Sequence, residues 1–202
     1  MLAAGASRRM GRSKPLLPVG GRPCLERVLD AFREAGQGPL ILVLGCRARE
    51  VLCGIRQGRD IIPIVNGRWA LGQTSSVKAG LRAAGATAPG CFVMPGDHPL
   101  LEAADVAALA RRIGEPPGAR GIFVPAWKGR RGHPLLLGAE HRLAILGMDD
   151  AVPLHMYLRM RGADRIEVPA AGPGVLSGMN TAAEYMSALR AAEGGREEKD
   201  QR

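Results

Sequence analysis

The segment LAAGASRRMGRSKPLL (residues 2–17) sets a glycine and four cationic side chains, Arg8, Arg9, Arg12 and Lys14, directly behind Leu2, Ala3 and Ala4. Three small or apolar residues can only be the end of a strand, because a buried parallel strand normally runs to about five or six residues. In an open parallel sheet, ligands bind beyond the carboxyl ends of the strands. Gly5 falls there, where a backbone without a Cβ lets N–H groups approach an anion and the neighbouring cations supply charge. The segment is neither a Walker A loop nor G-x-G-x-x-G. It reads as a phosphate cradle, and a solvated basic surface loop is the other reading of the same residues.

The following stretches supply the sheet that this reading requires. PLILVLG (39–45) is a continuous apolar run, as expected of a strand covered on both faces. DIIPIV (60–65) and CFVMP (91–95) are further strands. Between them, helical spacing predicts helices over 22–36, 47–55 and 77–84, the last capped by Ser75 or Ser76, and then over 105–113. Alternating strands and helices argue for an α/β fold with a mostly parallel, Rossmann-like sheet and helices on both faces. GIFVP (121–125) and HPLLL (133–137) flank the basic turn WKGRRG, so a strand or two should run antiparallel. A helix from about Glu140, another near 154–161, the strand RIEVP (165–169) and a helix over 181–192 close a single domain of about 1–190. The tail 191–202, ending GGREEKDQR, is charged, lacks apolar anchors and is expected to be disordered.

Composition narrows the function. The 202 residues are 46% apolar and only 3% aromatic, with 28 glycines, 15 prolines and a net charge of +9. One domain with a substantial core is expected. No apolar run approaches a membrane span and no signal peptide precedes the globular pattern, so a cytoplasmic protein with no membrane partner is expected. Arginine is spread along the whole chain and base-stacking aromatics are scarce, which argues against nucleic acid and for a small anionic ligand. Cys24, Cys46, Cys53 and Cys91 form no CxxC pair and read as small reduced core residues.

Five motifs carry a resemblance. LAAGASRRMGRSKPLLPVGGRPCLERVL, NGRWALGQTSSVKAGL (66–81), MPGDHPLL (94–101), VPAWKGRRGHPLLL (124–137) and GVLSGMNTAAEY (174–185) resemble, in order and spacing, the MobA-like nucleotidyltransferases. Within that group they are most similar to the molybdenum cofactor cytidylyltransferases. The resemblance covers most of residues 2–186 and implies the nucleotidyltransferase (GT-A type) architecture. It also implies attack by an acceptor phosphate on the α-phosphate of a nucleoside triphosphate, with release of pyrophosphate. Such a transfer needs a divalent cation, here Mg²⁺, positive groups over the developing charge, and a fixed line of attack.

Carried over residue by residue, the resemblance makes Asp97 the metal aspartate. An aspartate after Gly96 could also be a turn or helix-capping residue. Asn180 falls at the second metal-side position, where an asparagine before Thr181 could instead cap the last helix. Lys14 should reach the phosphates, with Arg9 the next catalytic candidate, while Arg8 and Arg12 face solvent. Leu2, Ala3, Ala4 and Gly5 should read the base through backbone groups. Two alanines before the glycine accompany cytidine in relatives, which favours CTP. Asn66 and Ser76 either contact the nucleoside or serve turn and capping roles. His133 in GHP is a weak general-base candidate, since a phosphate nucleophile is already ionised near neutrality. His98, His141 and His155 show no ligand-like spacing.

Three departures matter. Relatives carry several apolar residues ahead of LAAG. The stretch GMDDAVPLH (147–155) lacks the arginine of a GDxGAR-like element, and Gly178 stands where relatives have an aspartate. The last two lie towards the acceptor side. Molybdopterin is the favoured acceptor, with a molybdenum hydroxylase as the enzyme that uses the product; a sugar phosphate or another phosphorylated metabolite is the alternative. A nucleotide-binding or cofactor-chaperone protein without turnover is a further reading.

Overall fold

The protein is described by a computed structural model over residues 1–7, 11–85 and 87–200. Strand β1 (Leu2–Ala3) leads into the opening loop, which ends in a 3-10 turn at Lys14–Leu16. A two-residue hairpin follows, β2 (Pro18–Val19) against β3 (Arg22–Pro23), and then α1 (Cys24–Glu34), β4 (Leu40–Leu44), α2 (Ala48–Cys53), β5 (Ile61–Val65), α3 (Gln73–Ala83), β6 (Gly90–Val93) and α4 (Ala103–Arg112). The carboxyl-terminal part adds β7 (Ile122–Trp127), β8 (Arg130–Arg131), β9 (Leu135–Gly138), α5 (Ala139–Gly147), α6 (Leu154–Met160), β10 (Arg165–Pro169) and α7 (Ala182–Asp200).

β1 pairs in parallel with β4, and β4 with β5. On its other side Leu2 bridges Pro95, donating to Met94 O at 2.7 Å and accepting from Gly96 N–H at 2.9 Å. That bridge joins the two halves into one sheet of order β5-β4-β1-β6-β9-β7-β10, in which β9 alone of these seven runs antiparallel to its neighbours. The mostly parallel α/β sheet expected from the sequence is therefore present. Alternation along the strands feeds two layers: Ile122, Val124, Leu135 and Leu137 face α3, α5 and α6, while Phe123 and Leu136 face α4. On the α4 side, Leu25, Val28, Leu29 and Phe32 of α1 pack with Val106 and with Ala188 of α7.

Several boundaries differ from the sequence reading, each for a physical reason. α3 begins at Gln73 rather than Val77, and its polar first turn is held by tertiary bonds: Thr74 Oγ1 donates to Val152 O at 2.7 Å. Ser75 and Ser76 thus lie inside the helix and do not cap it. α7 does not stop at Ala192. The charged stretch expected to be disordered continues it to Asp200, since Arg, Glu and Lys are strong helix formers. Cys24 and Cys91 are buried as expected, whereas Cys46 and Cys53 are exposed. α2 is only six residues long and buries Val51 alone, which leaves Cys53 on its open side.

A cavity of about 300 Å³ lies at the amino-terminal ends of β4 and β6, lined by Phe32, Ile41, Leu81 and Phe92 among others, with no charged side chain. It sits at the edge opposite the opening loop. No helix of the described residues is long and apolar enough to cross a membrane.

Candidate active site

The carboxyl edge of the sheet gathers the opening loop, the β6–α4 loop and the segment before α7. Ser7 adopts a left-handed backbone (φ 51°), and its Oγ accepts the Lys14 N–H at 3.2 Å, closing the loop upon itself. Asp97 follows β6. The third segment is docked by close backbone approaches that only glycine permits. A Cβ on Gly174 would lie 1.9 Å from Leu100 O, and one on Gly132 would lie 2.2 Å from Val175 O. Seated there, the segment lets Met179 N–H donate to Asp97 O at 3.0 Å, so residues more than 80 positions apart are locked side by side.

The result is a three-residue convergence. Lys14 Nζ lies 2.9 Å from Asn180 Oδ1 and 3.6 Å from Asp97 Oδ2; the Lys14 and Asp97 side chains are largely withdrawn from solvent, while Asn180 is exposed. Burial, the strongest influence on the Asp97 carboxyl, would raise its pKa. The hydrogen bond with His98, the field of that ring and the Lys14 ammonium outweigh burial and hold it below the ordinary carboxylate range. Asp97 is therefore ionised at neutral pH.

Asn180 is available for this role because another group caps the helix. Thr181 and Glu184 form a capping box: Glu184 N–H donates to Thr181 Oγ1 at 3.2 Å, and Glu184 Oε2 accepts from Thr181 N–H at 2.8 Å. The same carboxylate accepts the Asn180 backbone N–H at 2.6 Å and fixes that residue in place. The pattern T-A-A-E was legible in the sequence as a capping box, and it settles the alternative use of Asn180.

His98 is the residue that sequence reasoning missed. Its Nδ1 lies 2.9 Å from Asp97 Oδ1, so Oδ2 is left facing Lys14. Its ring meets His133 edge-on at 5.0 Å between centroids. A Cβ on Gly178 would lie 3.1 Å from both Cε1 and Nε2 of His98. The bare backbone of Gly178 thus makes room for this imidazole. No ligand spacing betrays such a residue. Burial, helped by nearby His98 and opposed by Asp97, pushes His133 down to about 4, so it is neutral and too weak a base to matter near pH 7. His141 is structural, bonded at 2.8 Å to Tyr157 Oη and to Arg120 O.

The remaining candidates fall in two groups. Asn66 ends β5, and its Nδ2 donates to Ser75 Oγ and Ser76 Oγ at 3.0 Å each while Oδ1 accepts from Arg68 N–H at 2.9 Å. Asn66 thus organises the turn after β5, and Ser76, inside α3, accepts from it; both are buried. In the opening segment, the N–H and C=O of Leu2 are both consumed by the sheet, so Leu2 cannot read a base through its backbone. Ala3 and Ala4 are buried, Ala4 O accepts from Cys46 N–H at 3.1 Å, and a Cβ on Gly5 would enter open space. Arg8 and Arg9 lie outside the described residues; Arg12 is exposed.

Beside Asp97 and Asn180 a cleft of about 600 Å³ opens, walled by Arg130, His133, His155 and Arg165 over a floor that includes Val124 and Leu158. Arg130 makes no ion pair among the described residues, and Arg165 Nε has no hydrogen-bond partner there. The stretch 147–155 borders this cleft and is tied to α3: Lys78 Nζ pairs with Asp150 Oδ1 at 2.7 Å, and Arg68 reaches Asp150 Oδ2 at 3.1 Å. One edge therefore presents an ionised carboxylate, an amide oxygen and an ammonium next to a cationic cleft, an arrangement suited to a metal-bound polyphosphate and a second anion.

Known proteins resemble this chain in sequence and in fold. The chain is 33% identical over 120 residues to a probable molybdenum cofactor guanylyltransferase of Opitutus terrae, the match covering 59% of this chain and 56% of that protein. It is 34% identical over 117 residues to the bifunctional protein GlmU of Sinorhizobium fredii, covering 57% of this chain and 26% of the relative. The chain therefore spans less than two thirds of either relative. Among solved structures, Rv0371c of Mycobacterium tuberculosis superimposes with a TM-score of 0.73 at 27% identity, over 94% of this chain and 95% of that one. A manganese complex of the same protein gives 0.71 at 24%, with the same shares covered. The sequence profile of the MobA-like NTP transferase domain matches residues 1–152, and the chain belongs to that family of nucleotidyltransferases.

Proposed function

We propose that the protein transfers a nucleoside monophosphate, CMP from CTP, to a phosphorylated acceptor, with molybdopterin the favoured one. An acceptor phosphate oxygen forms a bond to the α-phosphorus, the bond from that phosphorus to the bridging oxygen breaks, and pyrophosphate leaves. The observation that carries this reading is the meeting of Lys14, Asp97 and Asn180 from three distant segments.

The residues present fit the divalent cation that such a transfer uses. Asp97 Oδ2 and Asn180 Oδ1 are hard oxygen donors, and the Lys14 ammonium already lies near both. When bound, Mg²⁺ would supply charge neutralisation across the phosphates. Asp97 and Asn180 would hold it, and His98 would keep Oδ2 of Asp97 turned towards it. Lys14 and, by the resemblance, Arg9 would offset the charge that builds on the departing pyrophosphate. Ala3, Ala4 and Gly5 would face the base, where the Ala-Ala-Gly order favours cytidine. Asn66 and Ser76 would shape the neighbouring nucleoside wall. The cationic cleft beyond Asp97 would take the acceptor. Within that reading, a molybdenum hydroxylase would use the dinucleotide product.

A second acceptor class, a sugar phosphate or other small phosphorylated metabolite, is favoured by Gly178 and by a 147–155 stretch without arginine. Incubation with Mg²⁺, each of four labelled NTPs and molybdopterin separates these. CMP-molybdopterin with stoichiometric pyrophosphate supports the first. Pyrophosphate release only with a sugar phosphate supports the second. Nucleotide binding that never releases pyrophosphate with any acceptor would overturn both in favour of a binding or chaperone protein.

A further inference from the structure

Lys14 carries two duties that exclude each other. Under the proposed function, on which this inference rests, its ammonium belongs on the phosphates. In the structure it lies 2.9 Å from Asn180 Oδ1 and 3.6 Å from Asp97 Oδ2, the two oxygens that would face a divalent cation. An ammonium in that position and a divalent cation held by the same two oxygens would compete for one space with charges of the same sign.

We propose that Lys14 is a place-holding cation. It neutralises the Asp97 carboxylate until a nucleotide arrives, then moves its ammonium to the phosphates and yields the two oxygens to the metal. Metal therefore enters with the nucleoside triphosphate and not before it.

Three features support the exchange. First, the Asp97 side chain is only 17% exposed, so a carboxylate there without a cation is costly. Second, both partners stay put while the amine moves. Asp97 is held through His98 and through Met179 N–H, and Asn180 through the Glu184 carboxylate. Third, the Lys14 backbone is anchored independently of its side chain. Its N–H donates to Ser7 Oγ, and its carbonyl accepts from Leu17 N–H at 3.1 Å. Only the four-carbon stem has to rotate, and a triphosphate offers the ammonium a stronger partner than one carboxylate does.

The signature is a pair of effects of opposite sign. Lys14→Met should bind Mn²⁺ alone at least about threefold more tightly than wild type, because removing a cation within about 4 Å of the carboxylate favours another cation there. The same variant should bind Mn²⁺·CTP at least about tenfold more weakly, since a charge-assisted contact to phosphate is lost. Mn²⁺ electron paramagnetic resonance, without and with saturating CTP, reads both, and far-UV circular dichroism with a thermal melt checks the fold. Lys14→Gln, which keeps a donor for Asn180 without the charge, should fall between. Unchanged or weaker Mn²⁺ binding in both variants overturns the proposal. Tighter Mn²⁺ binding with unchanged Mn²⁺·CTP affinity would leave the place-holder standing and defeat the nucleotide role of Lys14. Should neither variant fold, Asp97→Ala decides. It should scarcely alter Mn²⁺ binding without nucleotide yet abolish the extra Mn²⁺ retained with CTP, and a large loss in the nucleotide-free state would overturn the place-holder.

Discussion

From β5 through β4 and β1 to β6, each strand contact is parallel and the connections are helical. From β6 onwards the sheet is mixed: β9 runs antiparallel to both neighbours, β8 folds back on β7, and tight glycine contacts seat the segment before α7. The first region carries Lys14, Asn66 and Asp97, and the family profile covers all of it. The second supplies the walls of the cationic cleft, together with Gly178 and the 147–155 stretch. The contrast teaches that the first region rests on regular backbone geometry, while the second rests on side-chain pairings and close glycine approaches. Met179 and Asn180 cross from the second region to meet Asp97 and Lys14 of the first.

The sharpest way to break that division is at Asp97. Asp97→Ala should lower turnover by about 10³-fold, equivalent to roughly 4 kcal/mol of transition-state stabilisation, with little change in the melting temperature. Pyrophosphate release measured at saturating CTP checks this; a variant retaining wild-type rates would remove the metal assignment.

The next effect belongs to the second region. His133 is held at about 4 in the fold against an ordinary 6.5, so the unfolded chain takes up a proton that the fold refuses. Between those values stability rises with pH, and acidification across the window should remove up to roughly 3 kcal/mol. Denaturant titrations from pH 7 to pH 4 test it. His133→Gln should flatten the slope, and an unchanged slope would mean that the histidine is not buried neutral.

Asn66→Ala tests the first region away from the metal. Three hydrogen bonds organise the 66–76 loop through this amide, so its loss should cost about 2 kcal/mol of stability. Under the proposed function KM for CTP should rise while KM for the acceptor stays nearly constant, and steady-state kinetics with each substrate varied in turn distinguishes them. The smallest effect is expected at Gly178. A Cβ there must displace the His98 ring, so Gly178→Ala should cost about 1 kcal/mol in a thermal melt. Its kinetic effect should fall on acceptor KM and not on CTP KM; the reverse would erase the distinction between the two regions.

Much of this was legible in the sequence, for reasons that particular residues make clear. The apolar run at 39–45 foretold a parallel strand, and the expectation that the loop after Ala4 and Asp97 behind Gly96 share one sheet edge matches the meeting of Lys14 with Asp97. The hairpin of Pro18–Val19 with Arg22–Pro23 was missed because two-residue strands have no periodicity to read. The early start of α3 was missed because Thr74, Ser75 and Lys78 are buried by partners distant in sequence, such as Val152 and Asp150. His98 escaped for the same reason: its meaning lies in Asp97 on one side and the bare backbone of Gly178 on the other. Spacing rules see neighbours along the chain, and these pairings exist only across it.

The account rests on Lys14, Asp97 and Asn180 acting on one nucleotide. Crystals soaked with CTP and Mn²⁺ would show this through the anomalous signal of the metal. A single peak bridging Asp97 and Asn180, with the Lys14 ammonium against the phosphates, is the predicted result. Ordered CTP with the manganese bound elsewhere, and Lys14 still resting on Asp97, would contradict it.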